Sequence, residues 1–264
     1  MTPDELIARF GEQQMVGFAL VLARIAPLFV LAPLFSSKTL PPRARTFVAL
    51  ALALGIAPIA TQAPGDGAIP VDALGLAGLM VKEVLVGTAF SFGLAALFAA
   101  LSAAGSVLDT LVGFSFGGLV DPVTGTQSSI LSQLYSMVGV LVFIAIGGDA
   151  WVIQGLARTY EAVPLLEAPH VGSMVEGAQV AFSGLFAAAI QVSAPVLLAL
   201  VITDAALGVV SRVVPQLNVF AVGFPAKVAV AVLIVGASLP FAAGWLSDEL
   251  QRSVSTALQT LRVS

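Results

Sequence analysis

The residues able to do chemistry in this sequence are the ionisable side chains set within apolar runs: Arg24, Lys82, Glu83, Asp109, Asp149, Asp204, Arg212 and Lys227. Each is costly in hydrocarbon unless paired or wetted, so each asks for a partner. Lys82 and Glu83 are adjacent and on a helix project about 100° apart, so they do not face one another and each needs a partner elsewhere. Two readings are open for these charges: ion pairs to neighbouring helices or subunits, or a water-lined path. Asp204 and Arg212 lie about two helical turns apart and mark a segment's end. With no cysteine and a single histidine, disulfide frameworks, thiolate zinc sites and multi-histidine metal centres are excluded. His170 follows Pro169 in a polar connection and reads as a solvated loop residue; a metal there would need carboxylates such as Glu167. Ser36 and Ser37, or Ser128 and Ser129, have no nearby histidine and no nucleophile-elbow spacing, so serine catalysis has no support.

The elements that position these charges are membrane segments. Of 264 residues, 58% are hydrophobic and 10% charged, against about 25% charged in soluble domains. Mean hydropathy is +1.03. Uncharged windows run from Val84 to Leu108, Pro122 to Gly148, Gly177 to Thr203 and Val228 to Ser247, each reaching the ~20 residues that a helix needs to cross a bilayer core. The net charge of −4 is thinly scattered, without the basic stripe a nucleic acid requires, so nucleic acid is no partner. Asp4, Glu5, Arg9 and Glu12 do not make a secretory n-region, and the first apolar stretch is expected to stay in the mature protein.

Met15 to Phe35 contains Arg24, Pro27 and Pro33 and is expected to be kinked or broken. The loop Ser36 to Arg45 holds the densest basic cluster, Lys38, Arg43 and Arg45, and Thr46 to Ala60 is too short to span unless it borrows from that loop. Thr61 to Pro70 reads as a turn, and Val71 to Leu108 as either a hairpin or one long bent helix. Glycine density from Ala103 to Thr126 disfavours regular helix. Helix is expected again at Ser128 to Ile146, stopping at Gly147 and Gly148, followed by a mixed connection from Trp151 to Glu176. Gly177 to Thr203 and Phe220 to Leu246 are two further apolar segments, and Asp248 to Ser264 a separate amphipathic tail. The fold class is therefore an all-α membrane protein of about six apolar segments. Placing the basic loop inside puts the N-terminus outside, and six simple spans then strand Arg252 and Arg262 outside, which argues against six simple spans. Arg24 with Pro27 is faintly echoed by Arg212 with Pro215.

The most informative stretch is Leu111 to Pro122, where Gly113, Gly117 and Gly118 flank Phe114, Ser115 and Phe116. Nonregular backbone at membrane depth is tolerated only where protein or a water-filled cavity covers it, so a re-entrant turn and a gate are both open readings. Four stretches resemble the FliR family of flagellar type III export-gate subunits: RIAPLFVLAPLFSSKTLPPRAR (Arg24 to Arg45), KEVLVG (Lys82 to Gly87), GFSFGGLVDPVTGTQ (Gly113 to Gln127) and PQLNVFAVGFPAK (Pro215 to Lys227). At Gly148 and Asp149 the chain departs from the Gly-His the family often carries, so no role of that histidine transfers.

The resemblance implies a noncatalytic subunit of bent helical hairpins, without cofactor, in the bacterial inner membrane at the flagellar basal body. Its implied partners are FliP-like and FliQ-like subunits, a FlhB-like subunit on the cytoplasmic side, membrane lipid and the unfolded flagellar proteins exported. It implies a FliP-like part over 1–170 and a FliQ-like part over 171–264. Gly113 to Gly118 becomes a pore plug, and Arg24, Lys82, Glu83, Asp109, Asp204, Arg212 and Lys227 become intramembrane charges for subunit packing. LPPRAR and DPVTGTQ look flagellar rather than injectisome-like. The rival readings are a secondary transporter or ion channel using Asp109, Asp149 or Asp204 as a proton site, and a membrane scaffold without a pore.

Overall fold

The computed structural model describes residues 3–32, 35–36, 41–62, 72–114, 129–216 and 218–262. Its helices are α1 (Pro3–Leu31), α2 (Pro42–Gln62), α3 (Ala73–Val112), α4 (Ile130–Ala145), α5 (Gly148–Ala162), α6 (Val171–Val213) and α7 (Val219–Arg262). No strand occurs among the described residues. Five helices are long and apolar enough to cross a membrane, or up to six if α4 and α5 form one broken span.

Several segments join where the sequence left them apart or open. From Ala73 onward the Val71 to Leu108 stretch is part of one 40-residue helix, Ala73–Val112, rather than a hairpin, and this helix continues through Gly105, whose missing Cβ is used for close contact. α2 does borrow residues from the basic loop, starting at Pro42, the N-terminal position where proline's fixed φ and missing donor cost nothing. α1 runs through Pro27 to Leu31; Pro33 and Lys38 lie outside the described residues. The tail expected as a separate helix is continuous with the last apolar segment in the 44-residue α7. The stop at Gly147 is as expected: this residue takes φ 70°, a left-handed conformation open to glycine, and parts α4 from α5.

The chain divides into two compact units, Met1–Ala96 with Gly147–Phe182 and Leu250–Ser264, and Leu97–Ile146 with Ser183–Glu249. In the first, the buried residues include a stripe of α1 (Leu20, Val21, Ile25, Leu28), Val86 and Phe90 of α3, and Val152, Leu156 and Tyr160 of α5. In the second, α4 buries Leu131, Tyr135, Gly139 and Phe143, one residue per turn. Phe143 packs edge-on against Phe98 at 5.6 Å. Outward faces of α6 and α7 remain apolar, including Leu198, Val201, Ile202 and Val209, and Val232, Leu233 and Phe241, the pattern of helices that lipid or other helices cover.

Candidate functional site

In the first unit, Arg24 stands in the middle of the apolar stripe of α1 and is fully buried. Its guanidinium donates to Glu83 through Nε to Oε2 at 2.5 Å and Nη2 to Oε1 at 3.0 Å. Nη1 donates to Thr159 Oγ1 at 3.2 Å, Nη2 to the Val163 carbonyl at 2.9 Å, and Cζ lies 3.9 Å from the centre of the Tyr160 ring. Gly87, one turn beyond Glu83, lets α3 approach so closely that a Cβ there would collide with the Arg24 carbonyl. Lys82 and Glu83, expected not to meet, are paired at 2.8 Å. The lysine stem is long enough to swing its ammonium back while Nζ also donates to the carbonyls of Pro164, Leu165 and Glu167 at 3.1, 2.6 and 3.1 Å. The partners of these charges therefore lie within the chain. They fasten the turn after α5 onto α1 and α3, and the guanidinium fork has little left to offer a substrate.

In the second unit, Asp109 is 2% exposed. Its Oδ1 accepts the Leu131 N–H at 3.0 Å and its Oδ2 accepts the Ser129 hydroxyl. Ser129 caps α4 in turn, accepting the Ser132 N–H at 3.1 Å. Ser132 donates to the Ser102 carbonyl at 2.8 Å, and the Ser102 and Ser136 hydroxyls are 2.7 Å apart. Ser102, Gly105 and Asp109 on α3 thus face Ser136, Ser132 and Ser129 across an antiparallel seam spaced i, i+3, i+7 on both sides. Asp204 pairs with Lys227 rather than with Arg212, and Lys227 Nζ also donates to the Leu111 carbonyl at 3.3 Å.

Gly113 ends α3 with φ 103°, and Phe114 packs edge-on against Phe224 at 5.9 Å. Ser115, Phe116, Gly117 and Gly118 lie outside the described residues. Arg212 is exposed in the last turn of α6, Asp149 is exposed in the first turn of α5, and His170 is exposed in the turn before α6. Among the described residues no group of three or more histidine, cysteine, aspartate or glutamate side chains is placed to hold a metal. The seam serines, Thr159 and Tyr160 were not singled out by sequence pattern. Matching Ser/Gly/Asp spacing on either side of the glycine-rich stretch was the signal for the seam, whereas nothing local marks Thr159 or Tyr160.

The family model described as "Bacterial export proteins, family 1" matches residues 15–253. The chain belongs to this family, the FliR family of type III export. The flagellar biosynthetic protein FliR of Bacillus subtilis (strain 168) is 33% identical over 222 residues, covering 83% of this chain and 84% of the relative. FliR of Escherichia coli (strain K12) is 28% identical, covering 84% of each. The surface presentation of antigens protein SpaR of Shigella sonnei is 28% identical, covering 81% of this chain and 82% of the relative. As a FliR-family member with five or six membrane-length helices, the protein is a membrane-embedded component of a flagellar or type III export apparatus. Both clusters of buried charge tie helix to helix within the chain.

Proposed function

We propose that the protein is a noncatalytic subunit of the flagellar export gate in the bacterial inner membrane, and that Gly113 to Gly118 plugs its pore. In this reading it assembles with FliP-like, FliQ-like and FlhB-like subunits and passes unfolded flagellar proteins. A FliP-like part over 1–170 and a FliQ-like part over 171–264 meet where α6 begins. The observation that carries the reading is the end of α3. There a glycine with φ 103° turns the chain out of a membrane-length helix, and the first phenylalanine of the glycine-rich stretch already packs on Phe224. An apolar constriction resists wetting, so phenylalanines in a lumen hold back ions. A proton-carrying role fits less well, because Asp109 and Asp204 are engaged by Ser129, Leu131 and Lys227. Exposed Arg212 and the apolar faces of α6 and α7 are what a neighbouring subunit would cover. Deleting Gly113 to Gly118 in an assembled complex should make the membrane leak ions, with a smaller leak from Phe114→Ala combined with Phe116→Ala. Wild-type conductance in the deletion would remove the plug assignment.

A further inference from the structure

We propose that a crevice between α4 and α7, wholly within the second unit, binds one acyl chain of a membrane phospholipid, and that the Tyr135 hydroxyl donates to the ester carbonyl at the head of that chain. The walls of the crevice run from Leu134 to Val142 on α4 and from Val235 to Leu246 on α7, and no charged residue lines it. Lining residues recur at every turn of both helices, so the crevice follows their axes. At a rise of 1.5 Å per residue the α7 wall is about 16 Å long, close to the depth that one leaflet contributes to a ~30 Å hydrocarbon core. The crevice encloses about 370 Å³ with its open side counted. Spread over its length this is a cross-section of roughly 20 Å², far below that of a helix about 10 Å across, so a single chain can enter and a helix cannot. Leu134 and Leu239 at the rim are 42% and 40% exposed, and open it onto the outward apolar faces of α4 and α7.

One polar group in the crevice is left unserved. Ser238 turns its hydroxyl back to the Val235 carbonyl at 3.0 Å. Tyr135 is 6% exposed, and its hydroxyl has no hydrogen-bond partner among the described residues, although a buried tyrosine ordinarily finds an acceptor. Helical side chains lean toward the N-terminus of their own helix, which aims this hydroxyl at the end of the crevice beside Ser132 and Ser129, the polar start of α4. An acyl ester has the matching order, a carbonyl acceptor followed by apolar chain. A side chain from a neighbouring subunit would fill one part of the crevice and leave the rest empty, whereas an acyl chain fills its length.

The test uses the full chain in its assembled complex, washed in detergent and then offered phosphatidylglycerol in its diester form or in a diether form with the same chains and headgroup but no carbonyl. Native mass spectrometry, with the complex dissociated to the single chain in the gas phase, counts the lipid this chain holds. Wild type should hold the diester about 2- to 10-fold better than the diether, the effect of one hydrogen bond. Tyr135→Phe should lose that preference and still bind both forms. Ala242→Phe pushes a ring into the crevice and should cut retention of both forms at least several-fold with subunit composition unchanged. Should Ala242→Phe fail to assemble, Val138→Phe fills the crevice from the opposite wall and takes its place. Wild-type retention in the assembled filling variant would overturn the lipid site, and an unchanged diester preference in Tyr135→Phe would overturn the role of its hydroxyl. A benzophenone side chain in place of Leu239 reports the occupant directly. Photoadducts of phospholipid mass support the proposal; photoadducts to another subunit alone would make the crevice a subunit contact and overturn it.

Discussion

Arg24 and Glu83 form a two-point ion pair with both side chains fully buried, Nε to Oε2 at 2.5 Å and Nη2 to Oε1 at 3.0 Å. The fork fixes the rotation of α1 about its axis as well as its distance from α3, because two parallel hydrogen bonds tolerate little twist. The same guanidinium reaches Thr159 and Val163, so three stretches of chain converge on one side chain. Lys82, Glu83 and Asp109 all find their partners within the chain.

Breaking this pair one partner at a time should be far worse than removing both. Glu83→Leu strands the buried Arg24 at a cost of about 3–5 kcal/mol, and Arg24→Met leaves Glu83 with Lys82 as its remaining ion-pair partner and should cost somewhat less. The double variant loses the uncompensated charge and should recover most of that. Thermal unfolding of the purified protein in one detergent measures the cycle; additive losses would contradict the coupling.

Tyr160 should separate ring from hydroxyl. Its ring lies under the Arg24 guanidinium, while its buried hydroxyl has no hydrogen-bond partner. Tyr160→Phe keeps the cation–π contact and should be close to neutral. Tyr160→Leu loses a contact worth about 2 kcal/mol when desolvated. Equal losses from the two variants would mean that the hydroxyl, not the ring, does the holding.

The helical membrane class and the stop at Gly147 were legible because hydropathy and glycine spacing are local signals. Helix lengths were not. Whether Lys82 and Glu83 interrupt a helix depends on whether the chain elsewhere supplies carbonyls and an arginine, and Thr159, Val163 and Pro164 lie about 80 residues further on. Gly105 misled in the same way: read alone it weakens a helix, yet it sits where two backbones touch. Asp204 and Arg212 looked like neighbours along one helix, but Lys227 on α7 takes Asp204.

The serine seam fixes a register that chemistry can read directly. With the Ser102 and Ser136 hydroxyls 2.7 Å apart, Ser102→Cys with Ser136→Cys should oxidise to a disulfide under mild conditions, since thiols placed there meet. Met137, next along α4, is exposed, so Ser102→Cys with Met137→Cys should stay reduced. Mobility shifts on non-reducing gels distinguish the two; efficient crosslinking of the control pair would mean a different register for α3 against α4.

Gly105 offers the sharpest test of how the seam forms. A Cβ at this position would fall on the Leu131 and Ser132 backbone, which cannot rotate away as a flexible side chain would. Gly105→Leu must therefore push α4 off α3, and overpacking of this kind costs about 1–3 kcal/mol, occasionally more. The displacement also opens the bonds from Asp109 to Leu131 and from Ser132 to Ser102, so the loss should exceed that of Ser132→Ala. Gly78 serves as the comparison. It lies on the same helix with nothing within 4 Å of a built Cβ, and Gly78→Ala should stabilise by about 0.5–1 kcal/mol through helix propensity alone. Thermal unfolding of the three variants decides the matter. If Gly105→Leu proves as stable as Gly78→Ala, the helices do not approach through this glycine, and Asp109 must reach α4 by some other geometry.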